Sequence, residues 1–328
     1  MSGEAANGRL DRADIAGRDR RTAALLPDSG RSLGPWLGTF SVFATWYGAE
    51  TCIGAAGEAY ASGMSGVLAD PFGYTLGMVA FGLFFAAGLW RRGLVTLADL
   101  FRPRWGVGVE RLAALIMIPS SVMWAAAQIR AFGQILASVS EVGLLVAITL
   151  AALVVILYTA IGGMWADAVT DLVQGVVLIA GVLVLFGVFI ALGGAEQLAA
   201  QPTTRLDPTH GRSTLDALET LAIPIFSTIA AQELASRALS MRGARLAARA
   251  TVGAGALYLV LGLLPMMVGL GAGAFIGDDQ ESEQVLSLFA QQYLPMPLYV
   301  LFLGALVSAI LSTLSGALLV AGSLLAHN

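Results

Sequence analysis

The sequence predicts an all-α, polytopic membrane protein, on three observations. Of 328 residues, 57% are hydrophobic and 12% charged, against about 25% charged in ordinary soluble domains. Eight stretches each stay apolar over the roughly 20 residues that a helix needs to cross hydrocarbon. The arginines alternate with those stretches. The same composition excludes a disordered chain, a nucleic-acid binder and a disulfide-stapled secreted domain. Cys52 is the lone cysteine, and His210 and His327 are the two histidines, so neither a disulfide nor a Cys/His metal cluster can form.

Taken in order, residues 1–34 form a polar, Arg- and Asp-rich stretch without the apolar core of a signal peptide, and are expected to be a disordered tail. The eight apolar stretches lie at 35–61, 72–90, 113–137, 143–162, 168–192, 219–240, 251–275 and 297–325. Segment 91–106 is too short and too charged to span. Its Leu94, Leu97, Leu100 and Phe101 recur at helical spacing, which predicts a helix along the membrane interface. All 18 basic residues are Arg. Fifteen lie in the tail, between spans two and three, or at and after the end of span six. Arg205 and Arg212 lie in segment 193–218, and Arg130 is inside span three. Placing the N-terminus in the cytoplasm makes the count 15 inside to 2 outside, the asymmetry expected of a bacterial-type inner-membrane protein.

Two spans make poor helices. Span one carries Gly48, Gly54 and Gly57 with Glu50 and Glu58, and span six carries Pro224, Ser227, Thr228, Gln232 and Glu233. Interrupted helices at corresponding places in two halves point to an inverted-repeat transporter with its site at the bilayer midplane. The alternative is that Gly and Pro are simply common in membrane helices. Span eight puts Ser308, Ser312, Thr313 and Ser315 on one arc. Such hydroxyls can offer oxygen to a small hard cation, or can bond a neighbouring helix. Arg130 should pair with Glu50 or Glu233, reach a wet cavity, or hold a substrate carboxylate.

Five blocks run in order across the chain: residues 30–54 (GRSLGPWLGTFSVFATWYGAETCIG), 94–106 (LVTLADLFRPRWG), 158–175 (YTAIGGMWADAVTDLVQG), 232–242 (QELASRALSMR) and 309–328 (AILSTLSGALLVAGSLLAHN). Together they resemble the sodium:solute symporter family, whose core is a LeuT-like pair of inverted five-helix repeats. The look is nearest to the choline-type branch, through ATWYGAE, PFGYTLGMVAFGLFFA and IPSSVMWAAAQIRAFGQ. The resemblance implies a first repeat over 35–192, an extracellular loop over 193–218 and a partial second repeat over 219–328. It implies sodium as the coupling ion, held by the carbonyls of Ala44, Tyr47 and Ala309 and the hydroxyls of Ser312 and Thr313, with Asp171 near the inner ion path. It implies a small polar solute held among Trp46, Gly48, Glu50, Thr51, Trp124, Gln128 and Gln232. Trp46 and Trp124 could hold a quaternary ammonium by cation–π attraction. The branch expects a third aromatic where this chain has Ala231, so a choline- or betaine-like amine, an amino acid and an organic acid all stay open.

Three departures accompany the resemblance. A polar tail stands where members carry an extra helix. STLSGALL replaces the usual STADSALL. The chain ends at Asn328, after core helix eight, which suggests C-terminal truncation. The leading expectation is a sodium-coupled symporter working by alternating access. The alternative is a non-transporting remnant or sensor-like subunit. An intramembrane enzyme is disfavoured, since no Ser/His or Asp/Asp constellation falls within the spans.

Overall fold

The computed structural model describes residues 31–139, 143–277 and 279–328. The expected disordered tail lies outside these residues, apart from its last four. Among the described residues, regular structure is helical, with one isolated bridge between Leu33 and Met241. Among the described residues, five helices are long and apolar enough to cross a membrane: Leu68–Arg91, Arg102–Leu136, Met164–Ala191, Ala244–Gly271 and Met296–His327. A sixth crossing is a pair, Thr214–Ala230 and Gln232–Leu239, bent by 44°. The two remaining predicted spans are also helical. Span one is divided into Pro35–Trp46 and Ala55–Ser62 around a π-helical turn, Glu50–Gly54, and span four begins with the apolar stretch Leu144–Leu157.

Spans four and five differ from expectation. The sequence suggests a connection near 163–167, but helix runs unbroken from Leu144 to Ala191. Forty-eight residues correspond to about 72 Å of straight helix, more than twice the hydrocarbon thickness, and a helix without a break cannot turn back, so the two expected crossings are not separated here. Gly162 and Gly163 do not end it, because a helical glycine costs only about 1 kcal/mol.

Segment 91–106 is not a continuous interfacial helix either. Gly93 (φ 74°) turns the chain out of span two, a short 3-10 turn covers Ala98–Leu100, and Gly106 (φ 82°) sets the start of the long third helix. Asp99 holds this connection. Its carboxylate accepts the amides of Val95 (2.8 Å) and Thr96 (2.9 Å) and meets the His327 ring at 3.1 Å. Burial pushes its pKa up, but these bonds, led by His327, more than offset that and hold the carboxyl down at about 2. A group depressed in the folded state stabilises above its unfolded value, about 4, and stops doing so as pH falls through the folded value. Asp99→Asn should therefore destabilise the protein at neutral pH. In thermal unfolding curves the gap from the native chain should close as pH falls from about 4 to about 2.

Side chains such as Phe84, Leu115, Met123, Leu145 and Leu157 point outward, as expected for surfaces solvated by lipid. Inside, close helix approach depends on small residues. A Cβ on Gly269 would lie 2.0 Å from the Ala56 carbonyl oxygen, so only glycine lets span seven press on the second half of span one.

Candidate functional site

The interruption of span one is built by two diverted amides. Helix Pro35–Trp46 ends at Tyr47 (φ −82°, ψ 81°), close to an inverse γ-turn. The Gly48 amide accordingly bonds the Trp46 carbonyl (3.0 Å), and the Ala49 amide turns to the Gln128 side-chain oxygen (3.4 Å). In a continuous helix the Gly48 amide would serve the Ala44 carbonyl. Here that carbonyl faces the Thr313 hydroxyl at 3.3 Å. Gly48 leaves the necessary room: a Cβ there would sit 2.9 Å from the Thr313 Oγ1 and 3.1 Å from the Gln128 Oε1.

Span six breaks at Ala231 (φ −73°, ψ 126°), not at Pro224, which lies within an intact helix. The second half, Gln232–Leu239, is wholly buried. Its far end is tied to the entry of span one through Leu33, whose amide bonds the Ser240 carbonyl (3.1 Å) and whose carbonyl accepts the Arg242 amide (3.1 Å). The two broken spans are thus fastened to each other at one end.

Between the breaks lies a cavity of about 400 Å³. Its wall includes Trp46, Glu50, Trp124, Ala231, Gln232 and Glu233. Trp46 and Trp124 meet edge to face, with centroids 5.3 Å apart and planes at 64°. Glu50 accepts the Tyr74 hydroxyl at 3.0 Å, and buried Glu233 accepts the Ser121 hydroxyl at 2.5 Å. Both carboxylates retain further lone pairs. Gln232 accepts the Leu97 amide at 2.6 Å, while its Nε2 is buried without an acceptor among the described residues. Among the described residues, no Lys, Arg or His side chain lines the cavity.

Of the residues expected to hold solute, Trp46, Glu50, Trp124 and Gln232 meet at this cavity. Gly48, Thr51 and Gln128 do not line it. Gln128 props the break, and Thr51 is fully buried against Asp70 and Tyr258. Arg130 is exposed on its helix, forms no ion pair among the described residues and is absent from the cavity wall. Its expected partners bond hydroxyls instead.

Beside the break, the Thr313 hydroxyl lies 3.3 Å from the Ala44 carbonyl and 3.2 Å from the Ala309 carbonyl. A hydroxyl has one proton and cannot donate to both. An all-oxygen cluster with this unsatisfied approach fits a small hard cation. Tyr47 stands at the break, with its own hydroxyl donating to the Leu261 carbonyl at 2.9 Å. Ser312 points the other way and donates to Asp171, which also accepts Ser41 at 2.7 Å. Asp167, one turn before Asp171 and so on the same helix face, accepts Ser315 and is paired with Arg237. Arg237 also lies 3.7 Å from Asp171 and donates to the Thr45 hydroxyl at 3.0 Å. Two carboxylates and one guanidinium are thereby buried beside the Thr313 cluster.

The sequence matches the sodium:solute symporter family over residues 28–328. The chain belongs to that family. High-affinity choline transporter 1 of Caenorhabditis elegans is 26% identical over 321 residues, 92% of this chain and 55% of the relative. The Homo sapiens protein of the same kind is 27% identical over 94% of this chain and 56% of its own length. Sodium/proline symporter 2 of Staphylococcus saprophyticus is 28% identical over 91% and 61%. The chain spans about half the length of the choline transporters it matches. A solved Na+-coupled sialic acid symporter, substrate-bound and outward-open, superposes with a TM-score of 0.80 at 19% identity, over 95% of this chain and 73% of that one. That likeness shows the fold: a LeuT-like membrane transporter architecture, with no enzyme among these relatives.

Within this symporter fold, sequence reasoning missed Asp167 and counted Arg237 among the charges at the cytoplasmic end of span six. The signal was available. Asp167 and Asp171 are four residues apart on an apolar helix, and a buried carboxylate pair calls for a cation.

Proposed function

We propose that this chain carries the core of a sodium-coupled symporter importing a small organic cation across a bacterial-type inner membrane, with its N-terminus in the cytoplasm. One observation supports the choice of solute above others: among the described residues, the cavity presents two carboxylates and two tryptophans and no basic side chain. An organic anion or an amino-acid carboxylate would meet Glu50 and Glu233 with no compensating charge. A choline-like or other amine would be attracted by both acids and by the tryptophan faces, each face contributing about 2 kcal/mol when desolvated. Ala231 leaves open the side where the choline-type branch expects an aromatic. In this chain, ionic attraction takes a larger share than aromatic enclosure.

Sodium, as co-substrate, would be held by the Ala44, Tyr47 and Ala309 carbonyls and by the Thr313 hydroxyl, while Ser312, turned to Asp171, acts from beside the cluster. Asp171 stands beside it on the inner ion path. Sodium bound there ties span eight to the break in span one, which stabilises the arrangement of the cavity and so raises solute affinity. With repeats over 35–192 and 219–328 and loop 193–218 outside, the bundle of spans one, two, six and seven would rock against the remaining spans around this fixed site. The orientation rests on the arginines other than Arg237, which is buried.

The test is charge discrimination in sodium. Choline should bind to the purified chain at least about tenfold tighter, or 1.4 kcal/mol, than 3,3-dimethylbutanol, its neutral isostere. Equal binding, or preferential binding of proline or pantothenate, would refute the cationic reading.

A further inference from the structure

We propose that Asp70, Thr51 and Tyr258 form a proton-binding site, a second ion site separate from the cluster at Thr313. The three side chains come from spans two, one and seven and are buried. They make three short oxygen–oxygen contacts. Thr51 Oγ1 lies 3.0 Å from Asp70 Oδ2, the Tyr258 hydroxyl lies 2.8 Å from Asp70 Oδ1, and Thr51 and Tyr258 lie 2.6 Å from each other. Each contact needs a proton between its oxygens. With Asp70 ionised, threonine and tyrosine supply two protons for three contacts. With one proton added to Oδ2, the triangle closes in a single direction: Asp70 donates to Thr51, Thr51 to Tyr258, and Tyr258 back to Asp70 Oδ1. Every polar atom is then used, and no buried charge remains.

The surroundings favour the same state. The titratable groups around Asp70 are Tyr47, Glu50 and Cys52 of span one, Tyr74 of span two and Tyr258 of span seven, and none is basic. Asp70 forms no ion pair among the described residues. The added proton comes from bulk water and converts a carboxylate to a carboxylic acid, with no other reactant. Held there, it clasps the second half of span one to spans two and seven, one helical segment away from Glu50 in the cavity wall. Loss of the proton removes one bond of three and leaves a buried anion against a second acid, so the clasp weakens as pH rises.

The site can be read without transport, so its failure and that of the proposed transport activity are distinguishable. Infrared difference spectra of the full chain in lipid, native minus Asp70→Asn, should show a protonated carboxylic-acid carbonyl band near neutral pH that is lost in alkali. Asparagine preserves the ring, since its amide can donate to Thr51 and its carbonyl can accept from Tyr258. In Tyr258→Phe the band should remain and shift to higher frequency, because the acid carbonyl loses its donor. Absence of the band in the native chain would overturn the proposal, and so would an unshifted band in Tyr258→Phe. Disappearance of the band on adding sodium alone would also overturn it, by showing that a metal cation takes the proton's place.

Discussion

Replacing Thr313 with alanine should raise the sodium concentration for half-maximal solute binding by about tenfold or more. The change removes the one hydroxyl that faces both the Ala44 and Ala309 carbonyls. Interactions of a polar oxygen with a charged partner contribute about 1.5–3 kcal/mol, and each 1.4 kcal/mol is about a factor of ten. Thr313→Ser keeps the oxygen and should stay near the native value. Ser312→Ala should also weaken sodium activation, by freeing Asp171 from one of its two donors. The same change at Ser287, on the separate helix Val285–Tyr293, should leave the sodium response unchanged. Equal effects at Ser287 and Thr313 would remove the assigned site. The readout is choline binding titrated with sodium at constant ionic strength.

The largest stability effect should follow from Arg237→Met. Arg237 is 1% exposed and faces Asp167 and Asp171, both buried. Removing one partner of a buried charge cluster typically costs about 3–5 kcal/mol, because the remaining charge stays buried without compensation. The loss should appear in thermal unfolding of the detergent-solubilised chain. Arg237→Met combined with Asp167→Asn should recover part of it, since the excess negative charge falls by one. If the double variant is no more stable than the single one, Arg237 acts through packing alone, for instance against Gly316, where a Cβ would lie 2.8 Å from its guanidinium.

The sequence reveals the features that lipid itself enforces. Apolar runs of about 20 residues had to be helices, and the glycines and carboxylates of span one had to mark a break, because an unwound backbone in hydrocarbon needs polar surroundings. Less legible were features set by tertiary partners. Pro224 looked like the breaker of span six, but the bend falls at Ala231, which carries no local signal. Its extended ψ is fixed by what Gln232 and Glu233 reach: the Leu97 amide and the Ser121 hydroxyl. Thr51 looked like a cavity residue by its neighbourhood in the chain. The π-helical turn at Glu50–Gly54 shifts the helix face and turns Thr51 toward Asp70. Ser312 and Thr313 are adjacent hydroxyls serving different partners, a division that depends on Asp171, 141 residues away.

The central claim is that sodium and an organic cation are carried together. The most direct measurement is uptake of radiolabelled choline by proteoliposomes holding the full chain. An inward sodium gradient should accelerate accumulation, and should do so far less in Glu233→Gln, which halves the acidic charge facing the cavity together with Glu50. Uptake that is indifferent to sodium, or equal in Glu233→Gln and the native chain, would contradict the account.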